Sequence, residues 1–388
     1  GRNLAASDAA LVNGVAAHVL DYDDVALAGH PSAVLVPAIL AEGWTLDSSG
    51  EDAITAYVAG YELWAQLADL EPGHLHERGF HPTAVMGTLA TAAACARLHG
   101  LDPEKTGHAI AIGASLASGL VANFGTMTKS LHAGRTAQSG VLAARLAAQG
   151  FTASADVLEH RTGFLRAHSP SGTPDIENGS IDLGDNWRSS DLGINVKRYP
   201  TCYATHRSID AMLGLVAEHG LQPADVREIR VHTGRTQKLM LRNASPQTGL
   251  EAKFSMEFAM AAALIAGRVG LAELTDDFVS RGDVQQTFGK VNCTTTDEVM
   301  PGDQPFAPDD RVSIVLNSGK VVEHAPIVHA KGSWQKPLTR EELQEKFHDC
   351  ATRVFDAAQA RRLFEQLWRL DALKSLRELD LVSRMPRN

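Results

Sequence analysis

The sequence has few cysteines, and no two of them are spaced for a metal or redox site. Its 388 residues include only Cys95, Cys202, Cys293 and Cys350. Because none of these forms a CxxC pair, zinc ribbons, redox pairs and iron–sulfur clusters have no support. We therefore expect a reduced, cytoplasmic protein.

Long hydrophobic runs and an excess of basic residues are also lacking. The best apolar stretch, 108–122, is short and rich in Gly, Ser and Ala, whereas a spanning helix needs about 20 strongly apolar residues. The net charge of −10 argues against a nucleic-acid surface. No basic segment followed by an apolar one opens the sequence. We expect neither a membrane nor a nucleic acid as partner.

Four common catalytic motifs are absent: GxGxxG, GxxxxGK[ST], GxSxG and HExxH. Dinucleotide, P-loop, nucleophile-elbow and zincin chemistry therefore lack support, and we expect no cofactor. What is present is a globular composition, with 44% hydrophobic and 21% charged residues. The length exceeds that of one ordinary domain.

Hydrophobic periodicity predicts a mainly α protein. Residues 5–150 are helix after helix with many small residues, which favours a compact bundle. Residues 168–190 are typical of a loop, and beyond them strands are predicted at 226–232 and in a hairpin at 311–323. Helices are predicted at 82–98, 103–121, 133–149, 205–219, 252–267 and within 339–376.

These elements predict a large all-helical bundle domain and a smaller α+β domain inserted before the C-terminal helices. The boundaries are 1–193 for the first part of the helical domain, 194–334 for the α+β domain and 335–388 for helices that rejoin the bundle.

One short pattern occurs twice, as His-Pro-Ser-Ala-Val at 30–34 and His-Pro-Thr-Ala-Val at 81–85. Pro at the first helical position indicates a helix start, so His30 and His81 each precede a helix. The positive end of the helix dipole suits anions and keeps an imidazole neutral, ready to act as a base. The alternative is a pair of ordinary helix caps.

The segment GTMTKSLHAGRT at 125–136 places Lys129 and His132 three residues apart. On a helix that begins near Thr128 they share one face, where they can bind a carboxylate and move protons. A solvated helix face is the alternative.

Two further segments carry isolated candidates. Tyr199-Pro200-Thr201 leads to His206, which by itself is also compatible with a buried or surface histidine. Lys253 is expected to open a helix, where a cation opposes the dipole and is either exposed or held for an anion.

A metal site is a further alternative in two segments. Asp21, Asp23 and Asp24 with His18 and His30 can hold a divalent metal, form a solvated turn or hold His and Lys side chains. The other segment, 74–81, offers His74, His76, Glu77 and His81, but its spacing is HExxxH rather than HExxH. We expect no metal.

Many His and Lys side chains near helix starts, in an acidic chain without a cofactor motif, indicate a substrate with several carboxylates. Removing a proton alpha to a carboxylate develops charge that cations and N–H groups stabilise. Loss of water, loss of CO2 and epimerisation share this chemistry.

Five ordered segments of the sequence resemble the MmgE/PrpD family. They are NGVAAHVLDYDD with HPSAVLVPA, GFHPTAVMGTLATAAA, FGTMTKSLHAGRTAQSG, YPTCYATHRSID and EAKFSMEFAMAAALIAGRVGL. The family includes 2-methylcitrate dehydratase, cis-aconitate decarboxylase and iminodisuccinate epimerase. The resemblance implies a large helical domain, a smaller α+β lid, a metal-free site between them and a homodimer.

The same resemblance identifies the site residues by motif. They are Asp21, His30, His81, Lys129, His132 and His206, with Lys253 as a weaker candidate. Family members usually carry additional residues before the segment that begins here, so we expect either a truncated start or a bundle that lacks those helices.

The resulting hypothesis is a cofactor-independent lyase for a small polycarboxylate, with dehydration of 2-methylcitrate as the first choice. Lys129, His132 and His81 would be catalytic, and Asp21, His30, His206 and Lys253 would bind the substrate. The alternatives are a decarboxylase or epimerase of the same family, a metal-dependent hydrolase and a non-catalytic carboxylate-binding protein.

Overall fold

The chain divides into two compact units, each formed from segments that are distant in sequence. The structure is a computed structural model that describes residues 4–71, 75–176, 184–300 and 306–381. The first unit comprises Gly1–Val19, Asp24–Ile194 and Arg340–Asn388, and the second comprises Leu20–Asp23 and Asn195–Thr339. The division into 1–193, 194–334 and 335–388 stays a prediction.

The amino-terminal part of the first unit is helical. Its elements are α1 (Ala6–Val19), β1 (Asp24–Val25), α2 (Pro31–Leu46), α3 (Gly50–Asp69), α4 (Pro82–Leu98), α5 (Pro103–Leu116), α6 (Met127–Ala148), α7 (Phe164–His168) and α8 (Arg188–Asp191), with 3-10 turns at Leu75–Arg78 and Val121–Asn123. Local chemistry fixes several starts, because Ser49 forms a capping box with Asp52, and the side chains of Asp102 and Thr126 accept backbone N–H bonds at the starts of α5 and α6.

Helix α4 lies at the centre of the bundle and packs against α2, α3, α5 and α6. Its residues from Pro82 to Ala96 are all buried, which the Ala-rich sequence permits because small side chains let helices approach closely. The close approach of α1 and α6 depends on glycine. A Cβ at Gly134 would lie 2.4 Å from the carbonyl oxygen of Leu11, and one at Gly14 would lie 2.8 Å from the Cα of Gly134.

The second unit combines a four-stranded sheet with helices. Its elements are β2 (Asn195–Val196), α9 (His206–His219), β3 (Val226–Gly234), α10 (Arg235–Met240), α11 (Gly249–Ala252), α12 (Met256–Ala266), α13 (Asp276–Val279), α14 (Gly282–Phe288), β4 (Val291–Thr296), β5 (Arg311–Leu316) and β6 (Val321–Glu323), with 3-10 turns at Tyr203–Thr205 and Pro223–Asp225. The strand order is β4-β3-β5-β6, with β3 parallel to β4 and antiparallel to β5.

The sheet packs its apolar face against α9 and α12. Ile229 of β3 pairs with Val291 of β4 and with Ile314 of β5, and Ile229 and Ile314 are fully buried in the core of this unit. The predicted hairpin is confirmed, because β5 and β6 are joined by a turn in which Gly319 has a φ of +86°.

The chain ends with helices of the first unit. They are α15 (Arg340–Ala351) and α16 (Ala357–Trp368), followed by 3-10 turns at Leu370–Ala372 and Leu376–Glu378. Leu363 and Leu376 belong to the main core of the helical bundle, and Phe364 is also buried. The predicted fold class, mainly α with a small α+β part inserted before the C-terminal helices, is confirmed.

Three predicted helices have different bounds in the structure. The helix predicted at 133–149 begins earlier, at Met127. The helix predicted at 103–121 ends at Leu116, where the backbone of Ala117 turns to an extended conformation. The helix predicted at 252–267 is two helices, because Ser255 caps a new start at Met256. Across the described ranges, no α-helix has both the length and the apolar character that crossing a bilayer requires.

Candidate active site

Two histidines stand at helix starts in the first unit, as the repeated sequence pattern predicted. His30 is the N-cap of α2 and His81 is the N-cap of α4, and each is followed by proline at the first helical position. Neither side chain caps its own helix. Both imidazoles are therefore available for contacts away from the helix that they precede.

Other groups hold His30 in place. Its Nδ1 lies 2.7 Å from the carbonyl oxygen of Asp24, and its backbone N–H donates to Thr83 Oγ1 at 3.2 Å. A carbonyl oxygen only accepts, so Nδ1 of His30 carries the proton of this bond. Because Thr83 belongs to α4, the second bond ties the two helix starts together.

The carboxylate of Asp24 satisfies the start of α2 in place of the His30 side chain. It accepts from the backbone N–H of Ser32 at 3.1 Å and from the Ser32 hydroxyl at 2.7 Å. The Ser32 Oγ also lies 2.8 Å from the hydroxyl oxygen of Tyr57. Burial and the charge of Asp24 raise the pKa of Tyr57 far above its usual value, so this phenol stays protonated.

His81 and His132 form a direct pair in the first unit. Their Nδ1 atoms are 3.2 Å apart, so one ring donates and the other accepts. His81 is 1% exposed whereas His132 is partly exposed. The pair therefore links a buried imidazole to one that solvent can reach.

Lys129 lies near the same pair. It is the third residue of α6, it is buried, and its Nζ is 5.4 Å from the centre of the Phe124 ring. His81 meets the same ring edge-on, with the centroids 4.8 Å apart. Phe124 thus forms an apolar wall beside an ammonium group and an imidazole.

His18, at the end of α1, completes a group of imidazoles. Its ring centroid is 4.5 Å from that of His30 and 6.1 Å from that of His81. Ligand nitrogens of His18, His30 and His81 all lie within 4.8 Å of one another. From the sequence, His18 was a candidate only as a metal ligand together with His30 and the nearby acids.

Burial and nearby charges favour the neutral form of His81 and His132. Burial, together with His18 and Lys129, holds the pKa of His81 well below its usual value. Burial and Lys129 also lower the pKa of His132. Both rings are therefore proton acceptors at neutral pH.

The chain segment after α5 holds the N-cap of α4. The backbone N–H of His81 donates to the carbonyl oxygen of Gly119 at 3.0 Å, and that of Val121 donates to Gly79 at 2.9 Å. Gly119 has a φ of +137°, and a Cβ there would lie 2.7 Å from Ala84 Cβ and 3.4 Å from the His132 ring. Only glycine fits at this position.

In the second unit, Asp21 and Asp23 surround a buried lysine. The Nζ of Lys197 lies 3.1 Å from Asp21 Oδ1 and 3.6 Å from Asp23 Oδ1, and it donates to the backbone carbonyl of Asp21 at 3.0 Å. Although burial opposes it, the charges of Asp21 and Asp23 raise the pKa of Lys197 above its usual value. Sequence reasoning missed Lys197, because its acidic partners are more than 170 residues away and no local spacing connects them.

The structure corrects the expectation for the position of Lys253. It does not open a helix: it follows the short helix α11 as its C-cap, and α12 begins only at Met256. The Nζ of Lys253 donates to the carbonyl oxygen of Leu20. The predicted conflict between this cation and a helix dipole is therefore wrong, since a cation is favourable at a helix C-terminus.

His206 is the first residue of α9 and is fully buried. Its ring lies between Tyr199 and Tyr203, with centroid distances of 5.1 and 4.9 Å, and its Nε2 is 3.4 Å from the carbonyl oxygen of Thr201. Burial raises the pKa of both tyrosines, which stay protonated.

The structure thus gathers His30, His81, Lys129 and His132 in the first unit. Asp21, His206 and Lys253 belong to the second unit, and their substrate-binding role stays a prediction. Of the histidine-rich segment at 74–81, His74 lies outside the described residues, and the His76 ring lies 6.1 Å from that of Phe124.

Comparison with protein families resolves what scaffold carries these residues. Residues 1–177 match the model of the MmgE/PrpD N-terminal domain, and residues 199–370 match that of the MmgE/PrpD C-terminal domain. The chain belongs to the MmgE/PrpD family. His30, His81, Lys129 and His132 all fall within the N-terminal match of this family.

Curated relatives within the MmgE/PrpD family are named cis-aconitate decarboxylases. The chain is 30% identical to the human protein of that name over 97% of its own length and 79% of that protein. The mouse protein of the same name is also 30% identical, over 89% of this chain and 72% of that protein. A cis-aconitate decarboxylase of Aspergillus terreus is 25% identical, over 98% and 81%. These decarboxylases are lyases, and the chain is a lyase of the MmgE/PrpD type.

Proposed function

We propose that this protein decarboxylates cis-aconitate or a closely similar small polycarboxylate. The observation that carries the proposal is the group of His81, His132 and Lys129, in which two neutral imidazoles and an ammonium group lie beside an apolar ring. The name shared by the relatives supports this choice of reaction. Dehydration of 2-methylcitrate, the first expectation from the sequence, becomes the second candidate.

The chemistry requires a proton donor and a cation. When a carboxylate leaves as CO2, the electron pair of the broken C–C bond remains on the carbon skeleton. In an unsaturated tricarboxylate this pair delocalises over the adjacent double bond, and a proton taken up at carbon completes the reaction. A fixed ammonium group stabilises the developing charge, and a positioned acid supplies the proton.

The His81–His132 pair supports a proton relay. A proton that enters at the partly exposed His132 reaches the buried His81 across the 3.2 Å Nδ1–Nδ1 contact. Because its pKa is depressed, a protonated His81 gives up its proton readily. Burial of His81 also keeps water away from a carbanionic intermediate.

Lys129 has two roles in this proposal. Its ammonium group binds a substrate carboxylate, and its positive charge favours the negative charge that develops when CO2 leaves. The helices that begin just after His30 and His81 add partial positive charge near these two rings, whose centroids are 6.4 Å apart.

The remaining expectations belong to the same proposal. Asp21, His30, His206 and Lys253 would bind the substrate. The protein would act as a cytoplasmic homodimer without a cofactor or catalytic metal. Activity that survives prolonged treatment with a chelator supports the absence of a catalytic metal, and loss that is restored by one metal favours the hydrolase alternative.

Incubation with three substrates in D2O tests the reaction itself. Cis-aconitate, 2-methylcitrate and iminodisuccinate are supplied separately and followed by NMR and mass spectrometry. Decarboxylation releases CO2 and places one deuterium on the product, dehydration removes water, and epimerisation exchanges an alpha proton without a change of skeleton. No turnover of cis-aconitate with rapid turnover of 2-methylcitrate would replace the first candidate by the second.

Two variants test the site. Lys129→Met and His81→Gln should each lower kcat by about 10²- to 10⁴-fold, the usual contribution of a positioned acid or base. His160→Gln is the matched control, because His160 is exposed and its ring Nδ1 bonds to the nearby Thr162. Circular dichroism checks that the variants fold. Near-normal turnover in both site variants would overturn the assignment.

A further inference from the structure

We propose that His18, His30 and His81 form a binding site for a divalent transition metal ion of the zinc class, and that the ion inhibits the enzyme. The site lies within the first unit and contains no acidic ligand. Binding at these rings is independent of the proposed function, whereas the inhibition rests on it.

The geometry suits a small ion. Ligand nitrogens of the three rings lie within 4.8 Å of one another, and zinc bound at about 2.0–2.1 Å by tetrahedral ligands holds them about 3.4 Å apart. The adjustment needed is about 1 Å or slightly more, which small rotations of imidazole rings supply. The rings come from three elements: the end of α1 and the N-caps of α2 and α4.

One of the three rings is already oriented as a metal ligand. His30 donates its Nδ1 proton to the Asp24 carbonyl oxygen at 2.7 Å, which fixes the orientation of the ring. Metal-binding histidines usually make this kind of second hydrogen bond, and it orients the ring and raises its basicity. His30 is tied in addition to Thr83 through its backbone N–H.

The donor set selects among metals. Three imidazoles suit zinc, copper, nickel and cobalt, whereas magnesium and calcium prefer carboxylate and carbonyl oxygens.

Nearby positive charge decides between a resident and an inhibitory ion. The ammonium group of Lys129 and the starts of α2 and α4 oppose a cation in the first unit. The ion is therefore held less tightly than in a site with acidic ligands and arrives only when free metal is abundant. Once bound, it occupies a lone pair of His81 and interrupts the relay through His132.

Metal binding is measured first, on the full chain. Co²⁺ gives intense visible absorption when four-coordinate, and equilibrium dialysis with Zn²⁺ gives the stoichiometry. We expect one equivalent in the wild type and in His160→Asn, and at least a 10-fold weaker affinity in His18→Asn. NMR of the wild type adds a readout that needs no variant, because zinc should shift the ring signals of these three histidines and not that of His160. Unchanged signals, or equal affinity in His18→Asn, would overturn the site.

The inhibition is measured second, with the substrate that is turned over. Zn²⁺ should lower the activity of the wild type, and His18→Asn should require at least a 10-fold higher zinc concentration for the same loss. Stimulation by zinc would overturn the inhibitory role and indicate a catalytic metal. If no substrate is turned over, the proposed function fails, while dialysis and NMR still decide whether the metal site exists.

Discussion

At the scale of single residues, the two N-cap histidines leave the capping of their helices to other groups. The carboxylate of Asp24 accepts the backbone N–H of Ser32 at the start of α2. His30 donates its Nδ1 proton to the carbonyl oxygen of Asp24. The side chains of His30 and His81 therefore take no part in capping their own helices. A histidine that precedes a helix with proline at its first position can therefore contribute its side chain to the site.

The depressed pKa of His81 predicts a pH dependence of stability. In the unfolded chain His81 titrates near the usual value of about 6.5, whereas burial keeps it neutral in the folded chain. Below about pH 6.5 the unfolded state binds more protons than the folded state. The contribution of His81 to the free energy of unfolding is therefore fully present above that pH, and it is lost as the pH falls through the folded pKa. We expect the urea midpoint to fall less between pH 7 and pH 5 in His81→Asn than in the wild type.

The exposed control for this experiment is His160→Asn, which should keep the wild-type difference between the two midpoints. His132 and His168 also have pKa values lowered first by burial, so the effect of His81→Asn is partial. An unchanged difference in His81→Asn would contradict the buried, neutral state of this ring.

The His81–His132 contact predicts a separate kinetic effect. His132→Ala removes the partly exposed member of the pair but leaves Lys129 in place, so binding should suffer less than proton transfer. We expect kcat to fall by about 10²-fold or more, with a smaller change in KM. Steady-state kinetics with added imidazole provides the check, since rescue of kcat is expected when only the relay is missing. A change confined to KM would assign His132 to binding.

At the scale of secondary-structure elements, small residues decide how closely the helices pack. Gly14 and Gly134 meet where α1 crosses α6, and a Cβ at Gly140 would lie 2.2 Å from Thr91 Oγ1 on α4. These contacts bring α1, α4 and α6 together, and these helices carry His18, Lys129 and His132 or begin just after His81. The close packing of these helices therefore also brings the imidazole groups together.

A pair of glycine variants tests this packing. Gly134→Ala forces the new methyl group to within 2.4 Å of the Leu11 carbonyl oxygen, so it should destabilise the protein by about 1–3 kcal/mol. Gly107 lies on α5, where a Cβ would meet no neighbouring atom within 4 Å among the described residues. Gly107→Ala should therefore stabilise the protein by about 0.4–1 kcal/mol. Urea unfolding measures both, and a neutral Gly134→Ala would show that α1 and α6 can move apart freely.

At the scale of the whole molecule, each unit is built from segments that the sequence separates. Leu20–Asp23 belongs to the second unit although the rest of that unit begins at Asn195. Lys197 and Lys253 hold this short segment through its carboxylates and carbonyl oxygens, and Tyr22 donates to the carbonyl oxygen of Arg198. Asp21 has a φ of +51°, a conformation that non-glycine residues rarely adopt.

Removal of the buried lysine should be costly. Lys197→Met leaves the carboxylates of Asp21 and Asp23 without their buried cation, which should destabilise the second unit by about 3–5 kcal/mol. The control is Lys320→Met, since Lys320 is exposed in the turn between β5 and β6 and its loss should change stability by no more than about 0.5 kcal/mol. Unfolding followed by circular dichroism compares the two, and similar midpoints would contradict a stabilising role for Lys197.

The sequence alone predicted much of the helical unit. The segment that begins at Pro82 has a proline start, an unbroken run of small and apolar residues and an end before Gly100, and the structure places α4 at Pro82–Leu98. The hairpin at β5 and β6 was equally visible, because alternation and a glycine turn are local properties. The break in the helix predicted at 252–267 was not visible, because Ser255 is a competing cap within an apparently continuous helical pattern.

What the sequence determined by itself is that His30 and His81 precede helix starts and that Lys129 and His132 lie three residues apart, because proline geometry and helical periodicity act over a few residues. Only the tertiary structure decided that His18 joins His30 and His81, that the Nδ1 atoms of His81 and His132 meet, and that Lys197 lies between two distant acids. Those contacts depend on how closely α1, α4 and α6 pack and on how the chain returns to Asp21. Such distances are set by packing between segments far apart in sequence, which no local pattern encodes.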